Sequence, residues 1–194
     1  MARHRFRLGR PGSRRLGRLW RLARVQGSAR TVPMAIWGPL VAGLLVFVVG
    51  LIALGFDRVW LFPSLGPTAF LLGEMPEHKS AHEYNTVVGH FTAIGCGYFA
   101  VWVTGAYHDP AILAGSSGIY ESRVWAAGLA MALTLFLITV MRATHAPAAA
   151  TTLLIALGAF ALTAKDASSL VVGVLLIAAI GWCFRVLRLR PGEL

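Results

Sequence analysis

Charge is what this chain has least of. Only 13% of its 194 residues are charged, against about 25% in an ordinary soluble domain. With 57% hydrophobic residues and a mean hydropathy of +0.67, it is neither a water-soluble globule nor a disordered chain. Acid is missing altogether from residues 1–30, where ten arginines stand. Residues 31–194 hold eight Lys and Arg and eight Asp and Glu, so the formal charge of +10 belongs to the arm alone. Cysteine is scarce as well. Cys96 and Cys183 both fall in apolar stretches and read as small packing residues, not as a disulfide or a metal pair. No recognition module follows the basic arm, which argues against nucleic acid as the partner.

What is present is length of apolar sequence. Cutting the chain at its charges leaves six stretches: 31–56, 59–73, 84–107, 124–141, 146–164 and 167–184. A membrane-spanning helix needs about 17–25 apolar residues, and five stretches are long enough. The stretch 59–73 is too short for a continuous crossing and carries Pro63 and Pro67. It can still cross as a broken element, extended and then helical, because extended residues rise about 3.3 Å each. The expected architecture is an all-α polytopic membrane protein with four to six transmembrane helices. Two of its segments are proline-broken or re-entrant. The order long, broken, long occurs twice, a layout that permits an inverted repeat. Six crossings with a cytoplasmic N-terminus place fifteen Lys and Arg inside and three outside. Two re-entrant segments would give fourteen and four, so the charge rule leaves four and six crossings open. Both arrangements put both termini in the cytoplasm, of a bacterial inner membrane.

Three regions follow: a basic cytoplasmic arm at 1–30, a transmembrane body at 31–184 and a short basic tail at 185–194. In the arm, Leu16, Leu19, Trp20 and Ala23 share one helical face, with Arg14, Arg18 and Arg21 on another. Such a helix can lie on anionic lipid headgroups, and the alternative is a solvated arm that only sets topology. An arm of this composition also fits an organelle transit peptide in a eukaryotic source. The longest loop, 108–123, carries Pro110 and Gly115-Ser116-Ser117-Gly118 and reads as an external connection. His78 and His82 have metal-ligand spacing, but Pro76 beside them favours a solvated loop, so no metal or cofactor is expected.

The six stretches contain no Asp, Glu, Lys or Arg. Proton relays and cation carriers place ionisable groups in the membrane, so the inventory suits a small anion or neutral solute better. Two segments could hold one. In Phe62-Pro63-Ser64-Leu65-Gly66-Pro67-Thr68, Pro67 is expected to start a short helix capped by Gly66 or Ser64. In Thr144-His145-Ala146-Pro147-Ala148-Ala149-Ala150-Thr151-Thr152, Pro147 is expected to do the same. Helix starts leave N–H groups free and carry the positive end of the dipole, which makes them anion sites. The candidate site is Ser64, Leu65, Gly66 and Thr68 from the first segment and His145, Ala148 and Ala149 from the second. Asn85 and His90 would stand near the cytoplasmic mouth. Proline kinks at plain turns are the structural alternative. The Gly89, Ala93, Gly97 run and the Gly128, Ala132 pair read as close helix contacts.

These residues carry a resemblance. The chain resembles the HPP family of integral membrane proteins over about residues 34–185. The family's name motif is His-Pro-Pro followed by small residues and Thr. It corresponds to His145-Ala146-Pro147-Ala148-Ala149-Ala150-Thr151, with Ala146 in place of the first proline. Its Ser-Leu-Gly stretch corresponds to Ser64-Leu65-Gly66-Pro67-Thr68-Ala69. Its Asn-Val-type stretch leading to Gly-His corresponds in part to Asn85-Thr86-Val87-Val88-Gly89-His90, with Glu83-Tyr84 where the family has Pro-Arg. The resemblance implies four transmembrane helices and makes nitrite the first candidate solute, because some plant members act as chloroplast nitrite transporters.

The expected function is a transmembrane transporter or channel for a small anion. The alternative is a non-transporting membrane assembly or scaffold protein, which a tight, dry bundle would favour. An enzyme is not expected, because no nucleophile–base pair falls within reach in the sequence. A chain this short also fits a homo-oligomer.

Overall fold

The computed structural model describes residues 32–112 and 118–189. The arginine-rich arm, the centre of the longest loop and the last five residues lie outside them, and with them the expectation of an amphipathic arm. The regular elements are helices: α1 (Met34–Gly55), α2 (Leu65–Glu74), α3 (Glu83–Val103), α4 (Glu121–Val140), α5 (Ala148–Ala156) and α6 (Ala164–Arg188). Single 3-10 turns stand at Lys79–Ala81 and Ala106–His108. The helices α1, α3, α4 and α6 are long and apolar enough to cross a membrane. The other two, with ten and nine residues, are too short to cross alone.

Hydrogen bonds between remote residues fix the direction of each pass. Arg188 donates to the Val32 carbonyl at 2.8 Å, Arg185 pairs with Glu83 at 2.7 Å and Tyr84 Oη donates to the Met141 carbonyl at 3.0 Å. The starts of α1 and α3 and the ends of α4 and α6 therefore share one end of the bundle, the arginine end. At the far end Arg123 donates to the Asp109 carbonyl at 2.8 Å and the Ala156 carbonyl at 3.1 Å. The Ile112 N–H donates there to the Leu157 carbonyl at 3.0 Å.

The two short helices complete passes begun in irregular backbone. Leu61 lies beside Gly50, and Gly73 lies against Gly38 and Ala42, so residues 58–74 return antiparallel to α1. His145 lies against Gly89 and Ile155 against Gly97, so residues 142–157 run parallel to α3. The chain thus passes six times from end to end, four times as a long helix and twice as a broken one. The second long, broken, long set runs opposite to the first. Both sets enter the broken pass through the same cap. Asp57 after α1 and Arg142 after α4 take left-handed φ values of 51° and 53°. The N–H groups of Arg58 and Ala143, one residue on, return to the Ala53 and Ile138 carbonyls at 3.0 and 2.8 Å. This is a Schellman-type ending that satisfies carbonyls which lipid could not.

Apolar area alone does not hold helices together in lipid, because lipid tails are equally apolar; close packing and hydrogen bonds do. Glycine supplies the close packing. A Cβ at Gly73 would stand 2.6 Å from the Gly38 carbonyl oxygen, and one at Gly173 would collide with the Trp60 carbonyl. Gly89, Ala93 and Gly97 form the expected small-residue stripe, which the second broken pass fills with His145, before α5, and Ile155 of α5. The Gly128, Ala132 pair does not pack: both are exposed and Gly128 has open space around it. The buried stripe of α4 is instead Arg123, Ala126, Ala130, Thr134 and Ile138.

Candidate functional site

The two short helices start close together inside the bundle and run apart towards opposite ends. Ser64, at the cap position of α2, shares a hydrogen bond of 2.7 Å with Thr151 on the first turn of α5. Thr151 also meets His90 Nδ1 at 2.7 Å. His90 Nε2 meets Thr68 Oγ1 at 2.9 Å, and Thr68 Oγ1 meets His145 Nε2 at 3.3 Å. His145 Nδ1 lies 2.7 Å from the Ser80 carbonyl. Ser64, Thr68, His90, His145 and Thr151 are all 0% exposed, and the imidazoles stand edge to face with centroids 4.9 Å apart. His90 is the eighth residue of α3, so the cluster lies about 11 Å from the arginine end of a helix about 31 Å long.

One protonation pattern satisfies every bond in this row with both rings neutral. A carbonyl only accepts, so His145 Nδ1 carries a proton and donates to Ser80. Its Nε2 then accepts from the Thr68 hydroxyl. Thr68 Oγ1 accepts from His90 Nε2–H, His90 Nδ1 accepts from Thr151, and Thr151 Oγ1 accepts from Ser64. The donors point one way, from Ser64 to Ser80. A hydroxyl 2.7 Å from an imidazole is also the contact that activates a nucleophile in hydrolases, but this one is sealed inside the bundle.

The candidate residues separate into three groups. Ser64, Thr68, His90 and His145 come together. Asn85 holds the connection before α5 in place, donating from Nδ2 to the Thr144 carbonyl at 3.0 Å. Leu65 and Ala148 are packed at 0% exposure, while Gly66 faces open space and Ala149 lines a cavity beside the cluster. The helix starts differ from expectation in two respects. α2 begins at Leu65, so Pro67 sits within its first turn, and Pro147 stands at the cap position of α5 rather than inside it. The first N–H groups are not free. Leu65 and Gly66 donate to the Phe62 and Pro63 carbonyls, and Ala148, Ala149 and Ala150 to those of His145, Ala146 and Pro147, at 3.0–3.1 Å. Each helix winds up through tight turns that use these donors. Side chains, not backbone amides, therefore meet at the centre.

Thr151 joins three elements and stands outside the sequence-based site; its signal was a hydroxyl at the end of the small-residue run that opens α5. The neighbouring Thr152 faces the other way and meets Thr134 of α4 at 3.0 Å. Thr86, one turn before His90 on the same face of α3, is 0% exposed and its hydroxyl has no hydrogen-bond partner. The two loop histidines do not act as a pair. His78 Nδ1 accepts from the Ser80 N–H at 3.2 Å, while His82 Nε2 lies 3.4 Å from Arg185. Partial burial, and then the Arg185 charge, push His82 below its usual pKa.

A cavity of about 580 Å³ lies between the two short helices, next to the cluster but not in it. Pro67 and Leu71 of α2, Ala149, Ala150 and Leu153 of α5, and Ser80 line it. Ser80 thus belongs both to the polar row and to the lining of this cavity. No curated protein and no solved structure matches the chain. One family does, over residues 27–191: the chain belongs to the HPP transmembrane-region family and is an integral membrane protein.

Proposed function

We propose that this protein is a transporter or channel for a small anion, with nitrite as the first candidate. The observation that carries the proposal is the polar row from Ser64 to Ser80, placed where two short helix starts meet inside a membrane bundle. Buried polar groups are costly in lipid surroundings and generally mark a pathway. Two helix starts lie side by side at the row, and the positive ends of their dipoles favour negative charge there, an effect reduced where their first N–H groups bond to preceding carbonyls. The unpartnered Thr86 hydroxyl offers a further donor one turn away. In this proposal Ser64, Thr68, His90, Thr151 and His145 form the constriction, and Leu65, Gly66, Asn85, Ala148 and Ala149 shape its walls. The arginine end and both termini face the cytoplasm of a bacterial inner membrane, where the arm engages anionic headgroups.

The closure of the row at 0% exposure favours a second reading, a bundle locked by its polar centre and serving as a scaffold. Anion flux separates the two. Purified protein in liposomes should pass nitrite faster than empty liposomes do, with nitrate and chloride as comparisons. Rates for all three anions equal to those of empty liposomes would leave the scaffold reading.

A further inference from the structure

The row that closes the centre also has the parts needed to hold and pass a proton. Thr68 Oγ1 stands between two imidazole nitrogens, 2.9 Å from His90 Nε2 and 3.3 Å from His145 Nε2. An excess proton on His90 is accommodated without losing a bond. His90 Nδ1–H then donates to Thr151, whose hydroxyl turns towards Ser64. The proton can move on in one concerted step. His90 Nε2–H passes to Thr68 Oγ1 while the Thr68 hydroxyl proton passes to His145 Nε2. His90 is left neutral with its proton on Nδ1, and His145 becomes the cation, still donating to Ser80. A second proton is opposed by charge, because two cations would sit with centroids 4.9 Å apart, even though Thr68 Oγ1 can accept from both rings while donating to the Ser64 carbonyl at 3.4 Å.

The surroundings set the conditions for occupancy. From α2 only Thr68 bonds the rings, from α5 only Thr151, and from the turn before α3 only the Ser80 carbonyl. The charged pair Glu83–Arg185, with His82 beside it, stands two turns earlier on α3, and His78 is engaged by Ser80 N–H. Two helix N-termini oppose a lone imidazolium at the row and favour an anion beside it. Each of the two ions therefore helps the other to bind, which is the definition of coupling. Resting on the proposed anion transport, we infer that the His90–Thr68–His145 row carries a proton as a second substrate, one per anion. Transport is then electroneutral symport.

The test uses the whole protein in liposomes with an inward sodium nitrite gradient, a trapped pH dye and the membrane potential clamped at zero or at either sign. The expected result is internal acidification by one proton per nitrite, after subtraction of empty liposomes, at a rate indifferent to the clamped potential. Thr68→Val, which takes the hydroxyl from both imidazoles, should lower this uptake about tenfold or more, and Thr68→Ser, which keeps the hydroxyl, should restore it. Nitrite entry that follows the potential and brings no acidification overturns the proton role and leaves anion transport standing. No nitrite entry above empty liposomes overturns anion transport and the proton role with it. Thr68→Val with an unchanged rate and one proton per nitrite overturns the relay.

Discussion

Ser64 and Thr151, 87 positions apart, share a buried hydrogen bond of 2.7 Å that ties the start of one broken pass to the start of the other. Thr151 makes a second bond, to His90, whereas the Ser64 hydroxyl makes no other bond in the row, and the contact of Thr68 Oγ1 at 3.4 Å is to the Ser64 carbonyl. The two residues should therefore differ on removal. Ser64→Ala should lower stability by about 1 kcal/mol, as for one exchanged hydrogen bond. Thr151→Val deprives both Ser64 and His90 and should cost roughly 2–3 kcal/mol. Thermal unfolding in detergent measures both, and the double variant should fall short of the sum because the residues share a bond.

At Gly89 α3 packs tightly against His145 of the name motif. A Cβ there would lie 2.7 Å from the Cβ of His145, and neither atom is the end of a flexible chain. Gly89→Ala should push His145 away from Thr68, destabilise the protein by about 1–3 kcal/mol and lower anion flux. Gly95, on the same helix, has nothing within 4 Å, so Gly95→Ala should keep flux and stability. A Gly89→Ala protein with unchanged melting and flux would show that the contact is not tight.

The six-pass path makes a prediction about sidedness. Lys79 follows the first broken pass at the arginine end, and Lys165 opens α6 at the far end; both are exposed. Lys79→Cys and Lys165→Cys, each in a background without Cys183, should react with a membrane-impermeant maleimide from opposite faces. Labelling from the same face would mean that the short helices are re-entrant, with four crossings in all.

The arginine end should be sensitive to pH through His82. Its folded pKa lies below the ordinary 6.5, first through burial and then through Arg185, so the unfolded chain takes up this proton at higher pH. Its contribution to stability is complete above about pH 6.5 and is lost as pH falls through the window below. His82→Gln should flatten that part of the curve of unfolding temperature against pH between 5 and 8. Glu83→Gln removes the carboxylate from Arg185, whose side chain is 2% exposed, and should cost about 1–3 kcal/mol at pH 7. The lower end of that range reflects the 36% exposure of Glu83.

Much of this architecture was legible because hydrophobicity and proline act locally. The four long helices follow the apolar runs, and Pro63, Pro67 and Pro147 mark where the remaining two passes break. Ser64, Thr68 and His90 stood out because polar residues are rare in such runs, and His145 because it precedes the proline of the second broken segment. What the sequence hid depends on contacts across the fold. Thr151 looked like the end of a small-residue run until α2 and α3 were placed against it. The free N–H groups expected in first turns started by Pro67 and Pro147 were absent because the first helix begins earlier, at Leu65, and tight turns take up the first donors of both helices; turn geometry is not written in residue type. Arg123 read as a loop cation, yet it is 5% exposed and bonds two carbonyls at the far end, since the helix begins three residues earlier than the apolar run. Arg185 likewise read as the first residue of a tail, whereas α6 continues to Arg188.

Whether the polar row is the passage for an anion is decided by nitrite flux through three proteins reconstituted side by side. These are the unaltered chain, Thr151→Val and Gly95→Ala. Flux should exceed that of empty liposomes for the first, fall about tenfold or more for Thr151→Val and stay full for Gly95→Ala. Full flux in a folded Thr151→Val protein, or no flux in the unaltered chain, would show that it is not.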